Sequence, residues 1–273
     1  FCNRKMQFLI RRIEFLTMQS GRKKLVRSVE DIVGLIRRDG FLPFFKNDIE
    51  GFSLEEACPP DLWYVEYGDG RWQWPVWDWK GRIISLANCA YAKFFRGMGF
   101  VSDRWFPDFL NYRRSRWPLS AEERRILETL RGEDSLLVKE LRELSGYASR
   151  RSRPKRQRGA APEGAVGKLA RLEAAIDSAG DRTPASRSES FETALTRLQK
   201  GCWIVTADFE MAHDKNGRPY GWGLSRLTTP ESFFGASALR VERSPQESKN
   251  RMEAWLMKLL PQAEPRQIER FIG

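Results

Sequence analysis

The sequence predicts a mainly α protein with a small β component, an aromatic-rich helical N-terminal domain followed by a winged-helix (α+β) domain. Three observations carry this. Apolar residues recur at three- and four-residue spacing in several short segments, the signature of helices with one buried face. The order helix, helix, helix, then a two-strand hairpin closes the second half of the chain. Tryptophans gather in one place, with Trp72, Trp74, Trp77 and Trp79 inside GDGRWQWPVWDWKGR (68–82) and Trp63 just before it.

The chain of 273 residues is long enough for one or two domains, and 41% apolar residues suffice for a core. No apolar run approaches a membrane span, and Phe8-Leu9-Ile10 is too short for a signal-peptide core. A soluble, cytoplasmic protein is expected. Cys2, Cys58, Cys89 and Cys202 are far apart and His213 is the sole histidine, so a Cys/His zinc site is not expected. Reduced, buried thiols are the expectation, with no metal, no cofactor and no small-molecule ligand.

The net charge of +11 is unevenly spread. Residues 1–28 hold eight Lys/Arg against one Glu, and SRRSRPKRQR (149–158) holds six against none. The rest of the chain is close to neutral. Such segments bind polyanions with little sequence selectivity. Residues 1–27 read as a basic tail. Without Met at position 1, and with Met18 before a polar stretch, residues 1–17 are a candidate gene-start artefact.

The first domain is expected at 28–118. Ser28 to Gly40 reads as a helix, with Ser28 as N-cap and Val29, Ile32, Val33 and Ile36 on one face. The Trp cluster follows, and then a helix from Arg82 to Phe95 with Ile83, Ile84, Leu86, Ala87, Ala90, Tyr91, Phe94 and Phe95 on a broad apolar face. RWFPDFLNYRRSRWP mixes Trp105, Phe106, Phe109 and Tyr112 with arginines. Either it is a core helix with a basic outer face, or Arg113 and Arg114 meet nucleic acid.

The second domain is expected at 119–273. Ser120 and Glu123 make a capping box, and 135–145 a second short helix. Residues 148–187, rich in Arg, Ala, Gly, Pro and Ser, read as an inserted, largely disordered linker with one helical stretch at 166–178. SESFETALTRLQKG (188–201) is the third helix, burying Phe191, Ala194, Leu195 and Leu198. Thr193, Thr196, Arg197 and Lys200 on its other side are the expected DNA contacts, because the third helix of a winged helix reads the major groove. Strands at 202–210 and 220–227 flank HDKNGRP, with Asn216-Gly217 at the tip. Lys215 and Arg218 there would reach phosphates. Two more segments, from Thr229 and Ser244, read as packing helices. The same architecture also serves protein interaction.

The Trp cluster has three readings: packing, a slot for a stacked or flipped base formed by Trp72, Trp74, Trp77 and Trp79, and a sugar platform. In a slot, Asp78 is the candidate catalytic carboxylate, ahead of Glu66 and Asp69. Otherwise Asp78 is the N-cap of the following helix.

WPVWDWKGR, AYAKFF, WFPDFLNYRR and FETALTRLQ…DFE…DKNGRPYGWGLSR resemble the bacterial AlkZ-related winged-helix proteins over residues 28–273, with 148–187 as an insertion. That family is related to the AlkZ DNA glycosylases, which remove alkylated bases and unhook interstrand crosslinks. The resemblance implies double-stranded DNA as partner, with a glycosylase ancestry as the second possibility and a protein-interaction scaffold as the third. The glycosylases share a Gln-x-Gln or Gln-x-Asp pair that positions water. Here Gln73 is followed at that spacing by Pro75, and Gln262 and Gln267 by Glu, so the pair does not carry over.

Overall fold

A computed structural model describes residues 26–66, 72–147, 190–213, 216–217 and 219–273. The basic tail up to residue 25, Asp69, the expected linker, Lys215 and Arg218 lie outside the described residues. The described chain is mainly α with small antiparallel sheets.

Helix α1 (Val29–Asp39) is delimited by local chemistry. The Ser28 side chain accepts from the Asp31 backbone N–H, and the Asp31 carboxylate accepts from the Ser28 N–H, so two of the four orphan donors are satisfied. Gly40 ends the helix at φ 84°, and a Cβ there would lie 2.2 Å from the Trp105 ring. Only glycine meets both demands. Strand β1 (Phe41–Pro43), the single turns α2 (Leu54–Ala57) and α3 (Pro60–Trp63), and the short pair β2 (Val65–Glu66) and β3 (Trp72–Gln73) follow. Then come α4 (Pro75–Asp78), α5 (Lys80–Ala87), β4 (Cys89–Ala92), β5 (Gly99–Ser102) and α6 (Phe106–Arg116).

The single helix expected from Arg82 to Phe95 is therefore corrected to a helix and a strand, and Leu86, expected on its apolar face, is exposed, because α5 buries Lys80, Ile83, Ile84 and Ala87. Asn88 takes the left-handed conformation at φ 48° and stops α5. Beyond it Cys89, Ala90, Tyr91 and Ala92 are all buried, in a three-stranded sheet of order β1-β5-β4. A short run buried on both faces has no period with which to tell strand from helix.

Helix α7 (Ala121–Arg131) carries the expected capping box between Ser120 and Glu123. The segment expected as one helix at 135–145 starts as a strand, β6 (Leu136–Leu137), and continues as α8 (Val138–Leu144). Helix α9 (Phe191–Lys200) precedes β7 (Val205–His213) and β8 (Pro219–Thr228), longer than the expected strands, with Asn216-Gly217 in the turn. The sheet order is β6-β8-β7, all antiparallel. Ile126, Leu130, Leu141, Phe191, Leu195, Leu198, Ile204 and Leu227 share one core. At about 1.5–3 kcal/mol for each fully buried apolar side chain, this core is what sets the three helices on the sheet.

Helices α10 (Pro230–Phe234), α11 (Pro245–Leu259) and α12 (Pro265–Ile272) complete the fold. The last two leave the α7–β8 unit and return to α6. Buried Asp108 receives Arg243 Nε at 2.8 Å, Ser248 Oγ at 2.9 Å and a contact from Arg251. Those partners hold its carboxyl below the usual range against the opposing push of burial. The Phe271 ring stacks on Phe95 with centroids 4.3 Å apart, and Trp255 donates to the Asp39 carbonyl at 2.8 Å. The chain order expected for the second domain and the packing order thus differ: the C-terminal helices share a core with the N-terminal sheet.

Candidate functional site

The Trp cluster divides between interior and surface. Pro75, at the first position of α4, starts a turn that carries Trp77 back beneath Trp74. The two indoles stack with centroids 4.8 Å apart and planes inclined by 24°. Trp74 also packs on Trp63 at 5.3 Å, and Trp77 meets Phe44 edge-on at 5.5 Å. Trp74 is buried, while Trp77 and Trp79 are half-buried. Trp72 is on β3. The expected extended alternation ends at Trp74, because Pro75–Asp78 is helical.

Outside this aromatic shelf lies a cleft of about 740 Å³. One wall is Gln73, Trp74, Trp77, Asp78 and Lys80. The other is the hairpin, with Asp208, Phe209, Met211 and Gly223. The β7–β8 register shifts between Thr206 and Asp208, a bulge-like irregularity of the kind that re-aims side chains. Phe209 consequently reaches Tyr91, with centroids 6.0 Å apart. Gly81 faces the hairpin: a Cβ there would lie 2.8 Å from the Asp208 Oδ1 side-chain end and 3.8 Å from the Phe209 ring.

Lys80 is the unusual group. It is the first residue of α5 and only 3% exposed. Its Nζ lies 3.1 Å from the centroid of the Trp77 ring and 4.3 Å from that of Phe209. Among the described residues it makes these cation–π contacts and no ion pair. Burial pulls its pKa down to about 6, and Asp78 resists that shift. The positive end of α5 also disfavours the ammonium. A cation–π contact returns up to about 2 kcal/mol when desolvated, against roughly 1.4 kcal/mol for every pKa unit. Burial is the larger influence, so the amine stays well below the ordinary lysine value. Asp78 ends α4 with its side chain largely exposed, and partial burial nevertheless raises its carboxyl, with Lys80 opposing. The expectation that Asp78 caps the next helix is corrected: the cap residue of α5 is Trp79, without a side-chain hydrogen bond.

The other expected site residues fall in two groups. On α9, Thr193, Thr196, Arg197 and Lys200 lie opposite the buried Phe191, Ala194, Leu195 and Leu198. Arg197 is half-exposed and already holds the buried Glu123 carboxylate at 2.6 Å. Thr193 Oγ1 hydrogen-bonds Ser190 Oγ at 2.9 Å. The C-terminal end of α9 is docked: Gln199 accepts from the Lys93 N–H at 2.9 Å.

On α6, DNA contact by Arg113 is corrected. Its guanidinium is buried and donates to the carbonyls of Phe94 at 3.0 Å, Phe271 at 3.2 Å and Lys200 at 3.3 Å. Burial lowers its pKa to about 10, still charged at neutral pH. Arg114 is likewise engaged, with Glu231 at 2.5 Å, the Cys202 carbonyl at 3.2 Å and the Trp203 ring. Both arginines lock the chain rather than face outward.

Among the described residues no group of three or more His, Cys, Asp or Glu is arranged to hold a metal ion. Cys58, Cys89 and Cys202 are free and buried, and burial raises all three thiols. No described helix is long and apolar enough to cross a membrane.

A model of the family described as AlkZ related matches residues 26–273. The chain belongs to the AlkZ-related family. No curated protein and no solved structure matches it. In this AlkZ-related chain Gln73 lines the cleft, two residues before Pro75, and the polar groups around it are Asp78, Lys80 and Asp208. Lys80, Asp208, Phe209 and Met211 were not singled out from the sequence. WKGR carried a trace of Lys80: a lysine directly after a tryptophan run, at a helix start. Nothing local to DFEM marked its arrival opposite.

Proposed function

We propose that this AlkZ-related protein binds double-stranded DNA and acts in the recognition or repair of damaged DNA. In this reading α7–β8 is a winged-helix unit, α9 its groove-facing helix and β7–β8 its wing. The observation that carries the reading is the strand order β6-β8-β7 beneath three helices, the arrangement in which a third helix and a hairpin flank one duplex-sized surface. Family membership supports a link to DNA repair. Thr196, Arg197 and Lys200, with the hairpin-tip residues Lys215 and Arg218, are the proposed backbone and groove contacts. The basic run 149–158 adds affinity without selectivity.

Duplex binding measured at two salt concentrations tests this. Affinity should fall steeply with salt, and removing residues 149–158 should flatten the dependence, because fewer counterions are released. Absence of binding at low salt would instead favour a protein-interaction scaffold.

A second reading, base excision by a rearranged site, is favoured by one observation: the Trp74–Trp77 shelf beside a cleft that also carries Asp78, Lys80 and Asp208. Enzymes that act on a base hold it against aromatic and apolar side chains. Release of free base from alkylated duplex DNA, lost in Asp78→Asn with folding intact, is the expected outcome. No release from any alkylated duplex leaves the binding reading alone.

A further inference from the structure

Lys80 is poorly explained as a structural residue. Buried lysines normally extend their ammonium to water or pair it with a carboxylate. Here the side chain sits between the Trp77 and Phe209 rings at the floor of a cleft, at the start of a helix, with Asp78 and Asp208 on the walls. A desolvated lysine in an apolar surround is a free amine nucleophile, the state that forms Schiff bases with carbonyl compounds.

We infer that Lys80 is a nucleophile for an aldehyde, and that its ligand is the ring-opened deoxyribose of an abasic site in DNA. This rests on the DNA-binding reading above. Three features select that aldehyde over a small metabolite. The cleft, at about 740 Å³, is large enough for a nucleotide unit. With Trp74 and Lys80 both against the Trp77 ring, the apolar surface open to a neighbouring base is that of the exposed Met211 on the hairpin wall. Its second wall belongs to the hairpin of the proposed DNA-binding unit.

The step balances without any oxidant or reductant. The Nζ lone pair attacks C1′ of the open-chain sugar, a C–N bond forms and the carbonyl π pair moves to oxygen. That oxygen takes a proton and the nitrogen loses one, giving a carbinolamine. Loss of the hydroxyl with a second proton, as water, leaves the C=N imine. Asp78, its carboxyl raised by burial, faces the same cleft and is the group placed to exchange those protons. A low-pKa amine favours attack at neutral pH, as the lowered value of Lys80 allows.

Borohydride trapping on the full-length protein decides the matter. One arm uses duplex DNA with a single abasic site, the other free 2-deoxyribose, which needs no DNA binding. Binding of the same abasic duplex is measured in parallel. The expected result is a reduced covalent adduct in both arms, mapped by peptide mass to Lys80. In the DNA arm it should fall at least tenfold in Lys80→Gln and in Lys80→Arg, the latter keeping the charge but forming no imine. Circular dichroism of the variants confirms that they fold. Adducts spread over the terminal and linker lysines, and unchanged by Lys80→Arg, would overturn the proposal, since any basic tail can reach an abasic site. Labelling of Lys80 by deoxyribose alone, with the abasic duplex bound but not trapped, would overturn the abasic ligand. The same labelling with no duplex bound would sink the DNA-binding reading as well. No labelling in either arm would overturn the nucleophile while leaving DNA binding standing.

Discussion

Two segments of this chain, each rich in aromatic and basic side chains, have opposite fates. Residues 72–82 hold four tryptophans followed by Lys80 and Arg82, and residues 104–117 mix tryptophan, phenylalanine and tyrosine with four arginines. In the second, the arginines turn inward. Arg113 donates to three backbone carbonyls, one in the loop after β4, one on α9 and one on α12, and its neighbours Phe94, Phe106 and Phe109 form a continuous aromatic core. In the first, the aromatic rings stack into a shelf, and the lysine beside them ends at a cleft and, among the described residues, donates to no carbonyl. A guanidinium with five donors can be buried with most of them paired, as Arg113 pairs Nη1 and Nη2 while its Nε has no hydrogen-bond partner among the described residues. An ammonium held between rings keeps its burial cost. Aromatic-basic composition alone therefore does not distinguish a nucleic-acid surface from a core. What distinguishes them is how many acceptors surround the cation.

The contrast can be broken most directly at Arg113. Arg113→Ala should lower unfolding free energy by about 3–5 kcal/mol in denaturant titration, because three buried carbonyls lose their donor and a cavity opens. A variant that keeps its stability and loses only DNA affinity would return Arg113 to the surface.

Next in size is the shelf. Trp74→Ala should cost about 3–4 kcal/mol, the usual range for a buried aromatic, and Trp77→Ala less, since Trp77 is half-exposed. Equal losses at both positions would mean that Trp77 is core and the cleft is closed.

The pH dependence of stability sharpens the Lys80 side of the comparison. Its folded pKa, about 6, lies below the ordinary value of 10.5. Between those values the unfolded chain binds more protons than the folded one, so stability rises with pH across that window. Below pH 6 both states are protonated and the burial cost is felt in full. Asp78, Arg82 and Asp208 are the other charged groups lining this cleft, and Arg82 faces Glu30 at 3.8 Å. Relative to Lys80→Met, the wild type should gain on the order of a few kcal/mol from pH 6 to 10. Parallel curves for the two proteins would show that the amine is charged at neutral pH.

The smallest effect belongs to α9. Arg197→Ala should cost about 1 kcal/mol, since it leaves the buried Glu123 with its capping bonds but without a cation, and the arginine itself is half-exposed. Duplex affinity should fall as well. A loss of stability near that of Arg113→Ala would make this ion pair structural and remove Arg197 from the proposed interface.

Much of the local structure could be read from the chain alone. Ser28 with Asp31, Ser120 with Glu123 and Ser244 with Glu247 are contacts over three residues, so composition and spacing were enough to find these helix starts. The buried face of α9 followed from its period, and the hairpin tip from Asn216-Gly217. Family membership was also readable, through motifs spread from WPVWDWKGR to PYGWGLSR. The change from helix to strand at Asn88 was not, because an apolar run buried on both sides has no period to read.

Neither were the environments of the two cations that matter most. The carbonyls around Arg113 come from 19, 87 and 158 residues away, and Phe209 approaches Lys80 from the far side of the cleft on a strand whose register shifts just before it. Caps, helix faces and turns depend on neighbours within a few residues, and so the sequence by itself determined them. Burial of a charge depends on which distant acceptors and rings are brought together, and only the tertiary structure decided that.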